Sequence, residues 1–113
     1  MIVYNTTFHI DKDILDDVLP YLTKIYIPKA IAGGFLRQPY LRRILHTNED
    51  AGESYAVQFH VKNIDTLNYW LEKEGNIIHQ ALTGRFGDKV VGFTTLLEEI
   101  DWENDKRAHH IGD

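Results

Sequence analysis

The side chains best suited to chemistry near neutral pH are histidines, and the chain has six of them and no cysteine. Two lie on segments that read as strands: His9 in "IVYNTTFHI" and His60 in "ESYAVQFHVK". Both fall on the side of their strand that carries Asn5 and Thr7 in one case and Ala56 and Gln58 in the other. A shared metal ion or a proton relay would need the two rings close together. If Thr7 stands opposite Gln58, His60 falls opposite Asn5 and His9 opposite Ala56, which separates the rings by about 13 Å along the strand. That spacing predicts two hydrogen-bonded histidines rather than a metal site.

The other chemical candidates weaken for similar reasons. His79 sits in a helical pattern and reads as a surface residue, while His109 and His110 belong to a polar tail with no fixed geometry. Glu98, Glu99, Asp101, Glu103 and Asp105 form a solvated acidic run rather than a carboxylate dyad. Arg37, Arg42 and Arg43 line one strand and serve to solubilise an edge. "GRFGDK" follows a helix and precedes a strand, the wrong context for a phosphate loop. Ser54 is the single serine and has no histidine–acid signature around it. No residue is assigned a catalytic role, no metal site is assigned, and no cofactor is called for.

Composition bounds the class. At 113 residues the chain suits one domain with its own core, placed over 1–103, followed by a polar, flexible tail over 104–113. The absence of cysteine excludes disulfides, thiolate metal sites and cysteine nucleophiles. A net charge of −5 argues against nucleic acid and anionic membranes as partners. No apolar run approaches the roughly 18 residues that span a bilayer, and "MIVYNTTFHI" alternates instead of forming a signal-peptide block. The expected compartment is the cytoplasm.

The elements follow from periodicity. "IVYNTTFHI" alternates as a strand, with Ile2, Tyr4, Phe8 and Ile10 on one face. Asp11 or Asp13 offers a cap for a helix striped by Ile14, Val18, Leu22 and Ile25, in which Pro20 predicts a kink or a restart. "AGG" ends that segment, and "FLRQPYLRRILH" reads as an edge strand because Pro39 lies inside it. "TNEDAGE" is a polar turn leading into "ESYAVQFHVK". Asn63 or Asp65 caps a second helix that Gly75-Asn76 interrupts and "FGDK" closes, and "VVGFTTLLEEI" is the last strand.

The order β-α-β-β-α-β predicts an α+β, ferredoxin-like domain: a four-stranded antiparallel sheet with strands 1 and 3 central and two helices on one face. Tyr4, Phe8, Val57, Phe59 and Val61 then lie under the helices. Asn5, Thr7, His9, Gln58 and His60 lie on the other face. That second face is too polar for a core, and two subunits packing it together would form a dimeric α/β barrel. The leading functional expectation is a small homodimer that binds a small metabolite in the cleft between sheet and helices, with Asn5, Thr7, Gln58 and His60 on the polar side and Tyr26 at the rim. One alternative is a non-catalytic structural or interaction module. The other is a cofactor-independent monooxygenase- or isomerase-like enzyme using His9 or His60 as base. The facing of the second and last strands stays open, because both rows of each mix apolar with polar residues.

Four stretches, in this order and spacing, carry a resemblance over about nine tenths of the chain: "IVYNTTFHID", "YIPKAIAGGF", "YAVQFHV" and "RFGDKVVGFTTLLEE". The chain resembles a bacterial family catalogued only as a domain of unknown function, number 4286. The resemblance implies a ferredoxin-like, dimeric α/β-barrel-like domain and implies no activity. Two departures from the family pattern stand out. Tyr26-Ile27-Pro28 stands where the family commonly shows His-Ile-Pro, and Thr94 stands where it often has arginine. With an unperturbed pKa near 10, a tyrosine there is a poor base but a competent hydrogen-bond donor.

Overall fold

β-Branched and aromatic residues alternate along strand β1 (Ile2–Asp11), and this strand becomes the middle of the molecule. In the computed structural model, which describes residues 1–45 and 52–109, β1 pairs antiparallel with β3 (Gly52–Val61) on one side and β4 (Val90–Glu98) on the other. Strand β2 (Arg37–Ile44) joins the far side of β3, giving the order β2-β3-β1-β4. This is the predicted ferredoxin-like arrangement. The polar turn predicted over 47–53 lies, apart from its last two residues, outside the described residues.

The first helical segment starts where Asp11 Oδ1 accepts the Lys12 N–H at 3.1 Å and opens a short 3-10 turn. Helix α1 (Leu15–Tyr21) continues into a π turn over Leu22–Tyr26 and then α2 (Ile27–Ile31). The helix does not restart at Pro20, which lies inside α1. Pro20 and Asp16, whose carbonyl loses its partner, are both exposed, so water satisfies that carbonyl. The irregularity comes just after it, where the Ile27 N–H reaches back five residues to the Leu22 carbonyl.

The second helical segment repeats the device. Asn63 Oδ1 accepts the Thr66 N–H at 2.8 Å and starts α3 (Ile64–Trp70). A π turn over Leu71–Gly75 follows, then α4 (Asn76–Phe86). The predicted break at Gly75-Asn76 is therefore a widened turn, closed by the Asn76 N–H on the Leu71 carbonyl. Gly75 is required there by close packing, since a Cβ would stand 2.5 Å from a Trp70 ring carbon. Gly87, at φ 63°, ends the helix. In the segment 104–113, where the sequence predicts a flexible tail, Lys106–His109 forms a helical turn, α5; residues 110–113, His110 among them, lie outside the described residues.

The core joins one sheet face to the helices: Tyr4, Phe8, Ile10, Val57, Phe59 and Val61 pack with Val18, Leu22, Tyr26, Leu67, Trp70 and Leu82. Pairing settles the strands left open by the sequence. Gly92, Thr94 and Leu96 stand opposite Phe8, Thr6 and Tyr4, toward the helices. Tyr40, Arg42 and Ile44 stand opposite Gln58, Ala56 and Ser54, on the open face. Pro39 does lie on an edge strand, and the register slips between Arg37 and Tyr40, where Gln38 takes a left-handed φ of 50°.

One register expectation is corrected. Thr7 pairs with Ala56, not Gln58, so Asn5 faces Gln58 and Val3 faces His60. His9 and His60 are thus six residues apart along the sheet, about 20 Å, and farther from each other than the sequence suggested.

Gly75→Ala tests the packing of Trp70. Alanine's helix propensity favours the variant by about 1 kcal/mol, while crowding a closed core costs about 1–3 kcal/mol. Because Trp70 is fully buried, crowding wins, and the urea midpoint is expected to fall. A raised midpoint would show that the indole shifts freely.

Candidate functional site: a polar cluster under the helices

Alternation along β1 sends Tyr4, Thr6 and Phe8 toward the helices, so a phenol and an aliphatic hydroxyl enter an otherwise apolar layer. The helices answer with polar groups of their own. Tyr26, at the end of the first π turn, points its phenol at His79 Nε2 at 2.8 Å. Tyr4 reaches the same nitrogen at 3.2 Å. The Tyr26 and His79 rings stack with centroids 5.9 Å apart, and Trp70 meets His79 edge-on at 6.4 Å. These rings hold the imidazole from three sides.

A neutral imidazole nitrogen is either a donor or a single-lone-pair acceptor, so it cannot make two strong bonds of the same kind. The second phenol must turn elsewhere, and the hydroxyls beside it are those of Thr6 and Thr94. Thr6 Oγ1 is buried and completes no hydrogen bond of its own. The group therefore has hydrogen-bonding capacity left over.

All three titratable members are held neutral at pH 7. Burial lowers His79 below its ordinary 6.5. Burial, reinforced by the neighbouring Tyr4, pushes Tyr26 far up. Burial also raises Tyr4, with the Thr6 and Thr94 hydroxyls offsetting part of the effect. Tyr26 is a donor and not a base. The cluster borders a cleft of about 200 Å³ between β1, β4 and α4, lined by Thr6, Phe8, His79, Leu82, Gly92 and Thr94.

The residues singled out from sequence fall elsewhere. Asn5 and Thr7 lie at the centre of the open face, where Asn5 Nδ2 donates to Thr7 Oγ1 at 3.1 Å and Asn5 Oδ1 is buried without a partner. Gln58 accepts from Arg42 on the same face, and His9 Nδ1 meets Ser54 Oγ at 3.0 Å. His60 lies at the far end, opposite Val3, and shares a pocket of about 320 Å³ with Arg37, Gln38 and Lys62. None of Asn5, Thr7, Gln58 and His60 borders the sheet–helix cleft, because the pleat turns them to the other side. Tyr26 is not at a rim: it is 1% exposed, inside the core.

Sequence reading missed Thr6, His79 and Thr94. Thr6 was within reach, since it sits between Tyr4 and Phe8 on the apolar row. His79 is half-buried rather than a surface residue. Among the described residues no three histidine or acidic side chains gather as a metal site, and no helix is long and apolar enough to cross a membrane.

The strand order and the helical layer on one side define an α+β protein of ferredoxin-like fold. Solved structures share it at low identity. An EthD family protein from Bacillus halodurans matches with 12% identity and a TM-score of 0.67, over 88% of this chain and 100% of that one. An antibiotic biosynthesis monooxygenase matches with 14% identity and a TM-score of 0.63, over 88% of this chain and 99% of that one. A dimeric ferredoxin-like protein of unknown function from Thermobifida fusca matches with 16% identity and a TM-score of 0.53, over 86% and 92%. At these identities the likeness shows the fold alone. The chain itself belongs to the family described as Domain of unknown function (DUF4286), whose model matches residues 1–100. No curated protein matches it.

The depressed His79 pKa has a measurable sign. Below 6.5 the unfolded histidine takes up a proton that the folded one resists, so stability falls as pH drops from 6.5 toward the folded pKa. His79→Gln lacks this term. The stability difference between wild type and variant, from urea unfolding at pH 7.5 and at pH 5, is expected to shrink on acidification. A constant or widening difference would show that burial does not depress this group.

Proposed function

We propose that this protein is a homodimer whose subunits pack their open sheet faces together, and that each subunit binds a small molecule in the cleft beside Thr6, His79 and Thr94. The observation carrying the ligand reading is the polar cluster itself. Phenols, hydroxyls and an imidazole gather inside an apolar layer at the wall of a cleft, where burying them is costly unless they are hydrogen-bonded, and Thr6 Oγ1 is not. Ligand pockets are mostly apolar with a few converging polar groups. The ligand site expected from sequence is kept, but its walls are different residues.

Support for the dimer comes from the open face. Val91, Phe93, Leu97, Tyr40 and Ile44 are all exposed there, and the orphaned Asn5 Oδ1 lies among them. A second copy would cover the apolar side chains and supply a donor near the twofold axis. Several solved proteins of this fold are described as dimeric. On this reading Asn5, Thr7, His9, Gln58 and His60 are interface residues. The net charge of −5 supports a protein without nucleic-acid or anionic-membrane partners, and on this reading its compartment is the cytoplasm.

The enzyme reading gains one observation, that a neutral histidine borders the cleft, so the base of a cofactor-independent monooxygenase- or isomerase-like reaction would be His79 rather than His9 or His60. The interaction-module reading needs only the open face.

Phe93→Arg separates the dimer from the fold, because Phe93 is 60% exposed in the single subunit. Light scattering should give twice the subunit mass for wild type and half of that for the variant, with unchanged circular dichroism. A monomeric wild type overturns the dimer. For the cleft, a fragment library is screened by amide shifts. Hits that move Gly92 and Thr94 are expected, and a library that moves neither overturns the ligand reading.

A further inference from the structure

Resting on the reading of the cleft as a ligand site, we propose that it selects an uncharged, single-ring molecule bearing one hydrogen-bonding oxygen, which Thr6 Oγ1 engages. Three observations fix the class.

The first is charge. Thr6, Phe8, His79, Leu82, Gly92 and Thr94 line the cleft, and none of them carries a formal charge in the neutral-imidazole state. An ion entering it would shed its hydration without meeting a counter-charge, which is the costliest form of burial. Unshared lone pairs and hydroxyl protons are what the walls offer instead.

The second is size and shape. About 200 Å³ is available, and a cavity of roughly 150 Å³ accommodates benzene. One substituted ring fits within it. At Gly92 β4 has no side chain, and Phe8 packs into the space this leaves. The Phe8 ring lies against that position, so close that a Cβ there would stand 3.0 Å from two of its carbons.

The third is the hydrogen bond waiting to be made. Thr6 is 6% exposed, and its hydroxyl has no partner of its own. A hydroxyl both donates and accepts, so it serves a carbonyl, an ether or an alcohol equally. Tyr26 is committed to His79, and Tyr4, turned to the Thr6 and Thr94 hydroxyls, uses only a lone pair of either; the Thr6 proton, with that of Thr94 beside the same cleft, is left to take the ligand oxygen.

Four molecules of one shape make the test: benzyl alcohol, benzoate, benzylammonium and toluene, titrated at pH 7.5 into the full chain while the Gly92 and Thr94 amide shifts are followed. Benzyl alcohol is expected to saturate these shifts with a Kd at least tenfold below those of benzoate and benzylammonium. Thr6→Val keeps the side-chain shape and removes the hydroxyl, and it should bring benzyl alcohol to the affinity of toluene. Equal or tighter binding of either ion overturns the proposal, as does a Thr6→Val protein that binds benzyl alcohol unchanged. If none of the four binds but other fragments move the same two amides, the chemical class fails and the site stands. If no fragment moves them, both fail. The wild-type series decides the charge question even if the variant does not fold.

Discussion

The register of β1 between its two neighbours is the constraint on which everything else depends. Because side chains alternate with a period of two, placing Tyr4 opposite Phe59 and Leu96 commits Thr6 and Phe8 to the helical side and Asn5 and Thr7 to the other. A slip of one residue would put Asn5 into the core and expose Tyr4 and Phe8. Burial of those two aromatics, each a few per cent exposed, is what forbids it, at about 1.5–3 kcal/mol for each fully buried side chain. The same choice that secures the core also carries one threonine into it, so the cluster is a by-product of the alternation that folds the protein.

The helices complete the cluster by departing from ideal geometry. At about 100° per residue, His79 should lie roughly 180° around the helix from Trp70, nine residues earlier. The π turn over Leu71–Gly75 inserts one extra residue in the turn, which brings the two to within about 80°. The rings then touch. A corresponding turn before α2 brings Tyr26 onto the same side as Val18, and both are buried. Two widened turns on facing helical segments thus deliver the two partners of one hydrogen bond.

This explains which parts were legible in advance. β1 and β3 could be read because their apolar rows are nearly continuous, interrupted in β1 by Thr6 alone, and Asn63 because its amide sits one residue before the apolar pattern begins. Pro39 told of an edge through its missing donor. The facing of β2 and β4 could not be read, since Leu41 and Arg43 compete with Tyr40 and Ile44, and Gly92 and Thr94 with Phe93 and Leu97; only long-range pairing decides. His79 was misplaced because the widened turn before it rotates it onto Trp70, and the sense of that rotation is not written in the apolar pattern. Tyr26 was placed at a rim by analogy with a family pattern, whereas its ring is wide and apolar enough to be taken into the core.

The two edges of the sheet are unlike, and this governs how the protein would assemble if it assembled wrongly. The outer rim of β2 is kinked at Gln38, lacks a donor at Pro39 and carries Arg37, Arg42 and Arg43, so copies meeting there repel. The rim of β4 runs from Val90 to Leu97 without a charge and is paired on its inner side alone. Strand addition would begin at β4 and end there. Two sheets joined rim to rim would present only the blocked β2 rim at either end, so the product stops at a pair instead of growing into a fibre.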